Sequence, residues 1–162
     1  MNAKFIFILS IVILSIILSA DGHENATCPC TVAKSTFNSS GVIGEVVFAQ
    51  NTCGSTIVTG LFSDGLVDPE KNCYNFLIVD DCGKVLYNLT SALDVKYRKD
   101  GTLPFSTTRL DDLNLNCDSD GVLLAVTYKK RYHKRQGAGM PYLEIRNSGD
   151  VSAQAPIGEM EE

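Results

Sequence analysis

The chain has 162 residues, a formal net charge of −5 and 44% hydrophobic residues. This length fits one domain with its own core, and the acidic balance argues against non-specific binding of nucleic acid through bulk charge. Two histidines are present, His23 and His133, so composition excludes a metal site that needs three or more imidazoles.

The chain opens with the pattern of a secretory signal peptide over residues 1–20. Lys4 supplies a positive charge, residues 5–18 are apolar apart from serines, and small residues precede a predicted cut after Ala20. The run is short for a membrane span, which needs roughly 20 apolar residues, and an uncleaved anchor stays open as the alternative. We therefore predict a secreted, extracellular protein without a membrane span.

The rest of the chain is predicted to hold a single folded domain over residues 41–158. Residues 21–40 are predicted to form an N-terminal extension, and residues 159–162 an acidic tail. Short β-rich runs alternate with Gly, Pro, Asn and Asp, which indicates an all-β fold, an antiparallel sandwich or barrel. The predicted strands are residues 42–50, 56–61, 73–79, 84–89, 113–115, 122–128 and 142–145.

Six cysteines follow the predicted signal, and an even number in an oxidising compartment predicts disulfides. They are Cys28, Cys30, Cys53, Cys73, Cys82 and Cys117. The pair Cys28 and Cys30 is too tightly spaced to bridge itself, so each is predicted to reach a distant partner. A thiolate metal site on these two residues is the alternative.

Three Asn-x-Ser/Thr acceptors predict a glycoprotein, at Asn25, Asn38 and Asn88. Each would lie at the surface if it is used. A secretory signal favours the use of at least one of them, although such triplets are also common by chance.

A basic run is the strongest local charge feature of this acidic chain. Its cations are Lys129, Lys130, Arg131, Lys134 and Arg135. The run is typical of a solvated loop, or of contact with an anionic partner such as a sulfated or acidic polysaccharide or a membrane surface.

Several segments, in the same order along the chain, resemble the copper/zinc superoxide dismutase family. Residues 44–50 and 56–61 resemble its first hairpin, and residues 119–128 resemble its "S-I-x-G-R-x-V-V-x-H" strand. Residues 147–158 resemble its glycine-rich tail, "G-N-A-G-x-R-x-A-C-G-V-I-G". The resemblance implies a Greek-key β-barrel, copper binding and removal of superoxide.

The same resemblance assigns the family's chemical groups to positions that carry other residues. Copper-binding histidines fall on Leu77, Val79 and Tyr128, the bridging histidine falls on Val95, and the substrate-guiding arginine falls on Val151. Leucine and valine have no lone pair to offer a metal. We therefore predict that the chain has no catalytic residue and no bound copper or zinc.

These observations predict a superoxide dismutase-like pseudoenzyme that acts as an extracellular binding or structural module for an unidentified ligand. One alternative is a weak or unconventional copper-dependent dismutase, with ligands drawn from Cys28, Cys30, Tyr128 or His133. A second is an immunoglobulin-like adhesion module, against which the absence of tryptophan weighs mildly.

Overall fold

The computed structural model describes residues 27–117, 121–123 and 140–160, and these form two antiparallel β-sheets with one short helical turn. The predicted all-β class is confirmed. The elements are β1 (Thr31–Ser39), β2 (Val42–Gln50), β3 (Thr56–Asp64), β4 (Tyr74–Val79), β5 (Val85–Asn88), α1 (Thr90–Leu93), β6 (Phe105–Ser106), β7 (Tyr142–Asn147), β8 (Asp150–Pro156) and β9 (Gly158–Glu159). Sheet A has the strand order β6-β3-β2-β1-β9, and sheet B has the order β5-β4-β7-β8.

Several predicted features lie outside the described residues. These are the signal segment, Asn25, both histidines, Tyr128, the basic run and the last two residues of the acidic tail.

The β1–β2 hairpin begins in the segment that the sequence assigned to an N-terminal extension. Its two strands pair along nine residues, from Thr31 opposite Gln50 to Ser39 opposite Val42. Ser40 and Gly41 make the connection with φ angles of 57° and 77°. Positive φ at both central residues is the conformation of a two-residue turn whose twist matches that of the strands.

The core lies between the two sheets and is centred on an aromatic cluster. The Phe62 ring stands edge-on to Phe37 at 5.3 Å between centroids, and it stacks on Phe76 at 5.7 Å and on Phe105 at 5.9 Å. Phe37 and Phe62 come from sheet A and Phe76 from sheet B. The Phe62–Phe76 pair therefore ties the two sheets together, and each ring pair adds about 0.5–1.5 kcal/mol beyond area burial.

An edge of sheet A and an edge of sheet B meet beside β1. The Ser35 hydroxyl of β1 donates to the carbonyl of Ala155 on β8 at 3.0 Å. The chain then leaves β8 and pairs β9 with β1, so that Lys34 lies opposite Gly158. The backbone of β1 therefore pairs within sheet A, whereas one of its side chains hydrogen-bonds to sheet B.

The strands predicted at 42–50, 56–61, 73–79, 84–89 and 142–145 are confirmed with small changes in their ends. The strand predicted at 113–115 is wrong, because these residues pair with no strand of the two sheets in the described part of the chain. They are held by side chains and by backbone bonds to Val122 and Leu123. Gln50 accepts the N–H of Leu115 at 2.6 Å, and the Thr56 hydroxyl donates to the Leu113 carbonyl at 2.6 Å. Of the strand predicted at 122–128, Val122 and Leu123 lie in a turn, and the remainder is outside the described residues.

Candidate functional site

Sheet B presents a row of side chains on the side away from the core, and we call this the outer face of sheet B. It is defined by Leu77 and Val79 of β4 and by Tyr142, Glu144 and Arg146 of β7. The strand register places Leu77 opposite Glu144 and Val79 opposite Tyr142. Directly opposed residues share a face, whereas the intervening residues of both strands belong to the core cluster.

Two of the positions assigned by resemblance to copper ligands therefore lie together on one face. The side chains of Leu77 and Val79 are buried, with 7% and 2% of their surface exposed. Val151 belongs to the same face, because it lies opposite Arg146 in the β7–β8 register, and it is exposed. Val95 lies elsewhere and packs against the core cluster.

A buried ion pair lies beside Leu77 on this face. Arg146 donates from Nε to Oε1 of Glu144, whose side chain is only 4% exposed. A buried carboxylate needs a partner of this kind, because an uncompensated buried charge costs several kcal/mol. Sequence reasoning missed both residues, although a glutamate inside the apolar run of β7 was an available signal.

An acidic cluster follows directly on from Val79 at the end of β4. Asp80, Asp81 and Cys82 offer donor atoms that lie within 4.8 Å of one another. Oδ1 of Asp80 also accepts the backbone N–H groups of Cys82 and Lys84, each at 2.9 Å. These hydrogen bonds are typical of an aspartate that forms a turn. They explain the position of Asp80 without a bound metal.

A second pair of aspartates links the 107–117 segment to both sheets. The hydroxyl of Ser55, next to β3, donates to Oδ1 of Asp111 at 2.7 Å, and the hydroxyl of Tyr87 on β5 donates to Oδ1 of Asp112 at 2.7 Å. The hydrogen bond from Ser55, followed by the charge of Arg109, lowers the pKa of Asp111. Burial, followed by the Asp112 carboxylate, raises the pKa of Tyr87 to about 12.

The cysteines lie at two ends of the sheets. Cys28 is bonded to Cys117, 89 residues away, which confirms a distant partner for Cys28. Cys30 is an exposed thiol, so the same prediction is wrong for it in this structure. Cys73 lies just before β4 and Cys82 just after it, so the length of this strand separates them.

The two described glycosylation acceptors are at the surface, as their predicted use requires. Asn38 is exposed near the end of β1, and Asn88 is exposed at the end of β5. The side-chain oxygen of Asn88 accepts the N–H of Thr90 at 3.0 Å.

Three comparisons with known proteins found no match to the chain. No model of a protein family matches it. No curated protein and no solved structure is significantly similar to it. Within the described part of the chain, no helix combines the length and the apolar character needed to cross a membrane.

Proposed function

We propose that the chain is a secreted, superoxide dismutase-like β-barrel that lacks dismutase chemistry and serves as an extracellular binding or structural module. The observation that carries this proposal is the pair Leu77 and Val79, buried side by side on the outer face of sheet B. These are the positions where the resemblance calls for copper-binding imidazoles.

The strand arrangement supports the barrel part of the proposal. β3 pairs with β6, and β4 pairs with β7, although other strands separate each pair along the chain. Pairing of strands that are distant in sequence is typical of Greek-key connections. The tail strand β9 also joins the sheet that contains the hairpin of β2 and β3, with β1 between that hairpin and β9.

The side chains on the outer face of sheet B support a fold that lacks the family's copper centre. A redox-cycling copper needs several convergent donors with lone pairs, and the aliphatic groups of Leu77 and Val79 supply none. The buried carboxylate opposite Leu77, that of Glu144, is held by Arg146. Their burial instead contributes to stability, at about 1.5–3 kcal/mol for a fully buried aliphatic side chain.

Metal analysis of the secreted protein, combined with a dismutase assay, tests the loss of chemistry. We expect less than one copper ion per chain. We also expect no more dismutation than the same trace of copper gives in buffer without the protein. A Leu77→His/Val79→His variant places two imidazoles on one face and should retain more copper than a Leu77→His/Asp81→His control. Stoichiometric copper together with dismutation in the unaltered protein would overturn the proposal.

For the binding role, we propose that the basic run contacts an anionic polysaccharide. Replacing its five cations with glutamine should abolish retention on a sulfated polysaccharide column at moderate salt, because such binding rests on summed charge. The matched control replaces five exposed cations elsewhere, Lys71, Lys84, Lys96, Arg98 and Lys99, and should leave most of the retention. Equal loss in both variants would contradict a role specific to the run.

A second candidate function is an unconventional copper-dependent dismutase, for which Asp80, Asp81 and Cys82 offer three donor atoms within 4.8 Å of one another. Its signature would be copper retention and dismutation that a Cys82→Ser substitution removes. The same metal analysis therefore separates the two candidates.

A further inference from the structure

The end of sheet A where β1 begins brings a third cysteine up to the disulfide. Cys53 lies in the turn between β2 and β3 and is an exposed thiol. The residues on both sides of it contact Cys28. The N–H of Cys28 donates to the carbonyl of Thr52 at 2.9 Å, and a Cβ atom added to Gly54 would lie 2.9 Å from Sγ of Cys28.

These contacts fix how far apart the two cysteines are. The hydrogen bond to Thr52 keeps the Cα atoms of Cys28 and Cys53 within about 7 Å of each other, given the bond lengths and the planar peptide. Disulfides usually join Cα atoms that are about 4.4–6.8 Å apart. A bridge between Cys28 and Cys53 therefore needs rotation of side chains and a small shift of a surface turn.

We propose that Cys28, Cys53 and Cys117 form a thiol–disulfide exchange site in which Cys53 displaces Cys117 from Cys28. The same added Cβ atom at Gly54 would lie 3.9 Å from Sγ of Cys117, an ångström farther than from Sγ of Cys28. Gly54, the neighbour of Cys53, thus lies nearer Sγ of Cys28 than Sγ of Cys117, and on this basis Cys28 is assigned as the sulfur that is attacked.

The step needs no external oxidant or reductant. Cys53 loses its proton to water, and its thiolate attacks Sγ of Cys28. The Cys28–Cys53 bond forms as the Cys28–Cys117 bond breaks. The electron pair of the broken bond stays on Sγ of Cys117, which takes up a proton from water.

Exchange would change what the disulfide holds. In the present pairing, the bond ties the 113–117 segment to the start of β1. In the exchanged pairing it ties only the β2–β3 turn to β1, and the segment keeps its noncovalent contacts, such as the bond from Leu115 to Gln50. The basic run follows Cys117 in sequence, so the exchange alters the covalent anchor that precedes it.

Peptide mapping of the full secreted protein tests the site. The protein is incubated at mildly alkaline pH without added thiol, quenched with acid, alkylated and digested with trypsin. Cleavage after Lys34, Lys71 and Arg109 separates the peptides of Cys28, Cys53 and Cys117. Because Cys28 and Cys30 share the peptide of residues 21–34, the Cys30→Ser variant assigns the linkage to Cys28. We expect this peptide joined to that of Cys53 to appear alongside Cys28–Cys117, with newly alkylated Cys117.

The variants Cys53→Ser and Cys30→Ser provide matched controls, because each removes one exposed thiol near the disulfide. Cys53→Ser should lower newly alkylated Cys117 at least about tenfold, whereas Cys30→Ser should leave it unchanged. A linkage from Cys53 to Cys117, or exchange that depends on Cys30, would overturn the assignment of Cys28 as the attacked sulfur. Persistence of Cys28–Cys117 as the single linkage in the unaltered protein would overturn the site itself.

Discussion

Single polar side chains hold segments of this molecule in place where backbone ladders are absent. The buried side chain of Gln50 donates from Nε2 to the Pro29 carbonyl at 3.1 Å and to Oδ1 of Asn116 at 2.8 Å. Its Oε1 accepts the N–H of Leu115 at 2.6 Å. One glutamine therefore satisfies groups on two segments, and a buried amide with these partners avoids the cost of an unmade hydrogen bond.

Tyr87 should make stability fall in alkaline solution. Because its pKa rises to about 12 in the folded protein from about 10 in unfolded chains, its contribution is complete below pH 10. It is lost as the pH rises through about 12. We expect the stability difference between wild type and Tyr87→Phe, measured by urea unfolding, to shrink over that window. Asp112→Asn should also reduce the stability difference between wild type and Tyr87→Phe. A stability difference that stays constant up to pH 12 would contradict this role of Tyr87.

The ion pair on the outer face of sheet B gives a second prediction. Arg146→Met should destabilise the protein by about 3–5 kcal/mol, because it leaves the Glu144 carboxylate buried without its partner. Adding Glu144→Gln should restore most of the loss in urea unfolding. The control is Lys34→Met, which breaks an exposed pair with Glu45 and should cost at most about 1 kcal/mol. Equal losses in both single variants would show that burial does not matter here.

At the scale of elements, two glycines let aromatic side chains fill the space under sheet A. A Cβ atom on Gly44 of β2 would lie 2.4 Å from the Phe62 ring. A Cβ atom on Gly60 of β3 would lie 2.8 Å from the Phe105 ring and 2.6 Å from the Glu45 carbonyl. Glycine is therefore needed at these strand positions because ring and backbone atoms approach closely.

Gly60→Ala should destabilise the protein by about 1–3 kcal/mol, the range for overpacked cores. The added methyl group would press on the Phe105 ring, which stacks on Phe62, and on the Glu45 carbonyl of β2, which cannot move without disturbing the strand pairing. The matched control is Gly158→Ala in β9, where an added Cβ atom meets nothing within 4 Å. We expect thermal unfolding to separate the two variants, and similar midpoints would contradict the packing argument.

The sequence predicted strands where aliphatic residues are dense and missed them where small polar residues face inward. β2 and β4 carry long apolar runs and were found. β1 buries Thr31, Ala33 and Ser35 as well as Phe37, so its alternation is hidden from a reading based on hydrophobicity. The resemblance singled out Leu77 and Val79, and the two-residue period of a strand puts them on one face. Their partners on β7 depend on a strand register that the sequence does not reveal.

At the scale of the whole molecule, β1 connects the parts of the fold. It pairs with β2 along its full length and with β9 at its other edge, and its Ser35 bonds to β8. It also supplies Phe37 to the aromatic cluster, and Cys28 just before it anchors the 113–117 segment. A domain that began at Gly41 would lack all of these contacts.

A chain that starts at Gly41 should therefore fail to fold, whereas one that starts at Asp21 should fold. The truncation exposes the backbone groups of β2 that β1 now satisfies, and it removes Phe37, whose loss alone would cost about 3–5 kcal/mol. Total stabilities of about 5–15 kcal/mol cannot absorb both effects.

Urea unfolding followed by circular dichroism is the measurement. Residues 21–162 should show one cooperative transition, and residues 41–162 should show none. A Cys28→Ser variant of the longer chain isolates the loss of the disulfide, and it should keep a cooperative transition at a lower urea concentration. If the shorter chain unfolded cooperatively at the midpoint of this variant, β1 would be an appendage, and the two sheets would be held together by the aromatic cluster without Phe37.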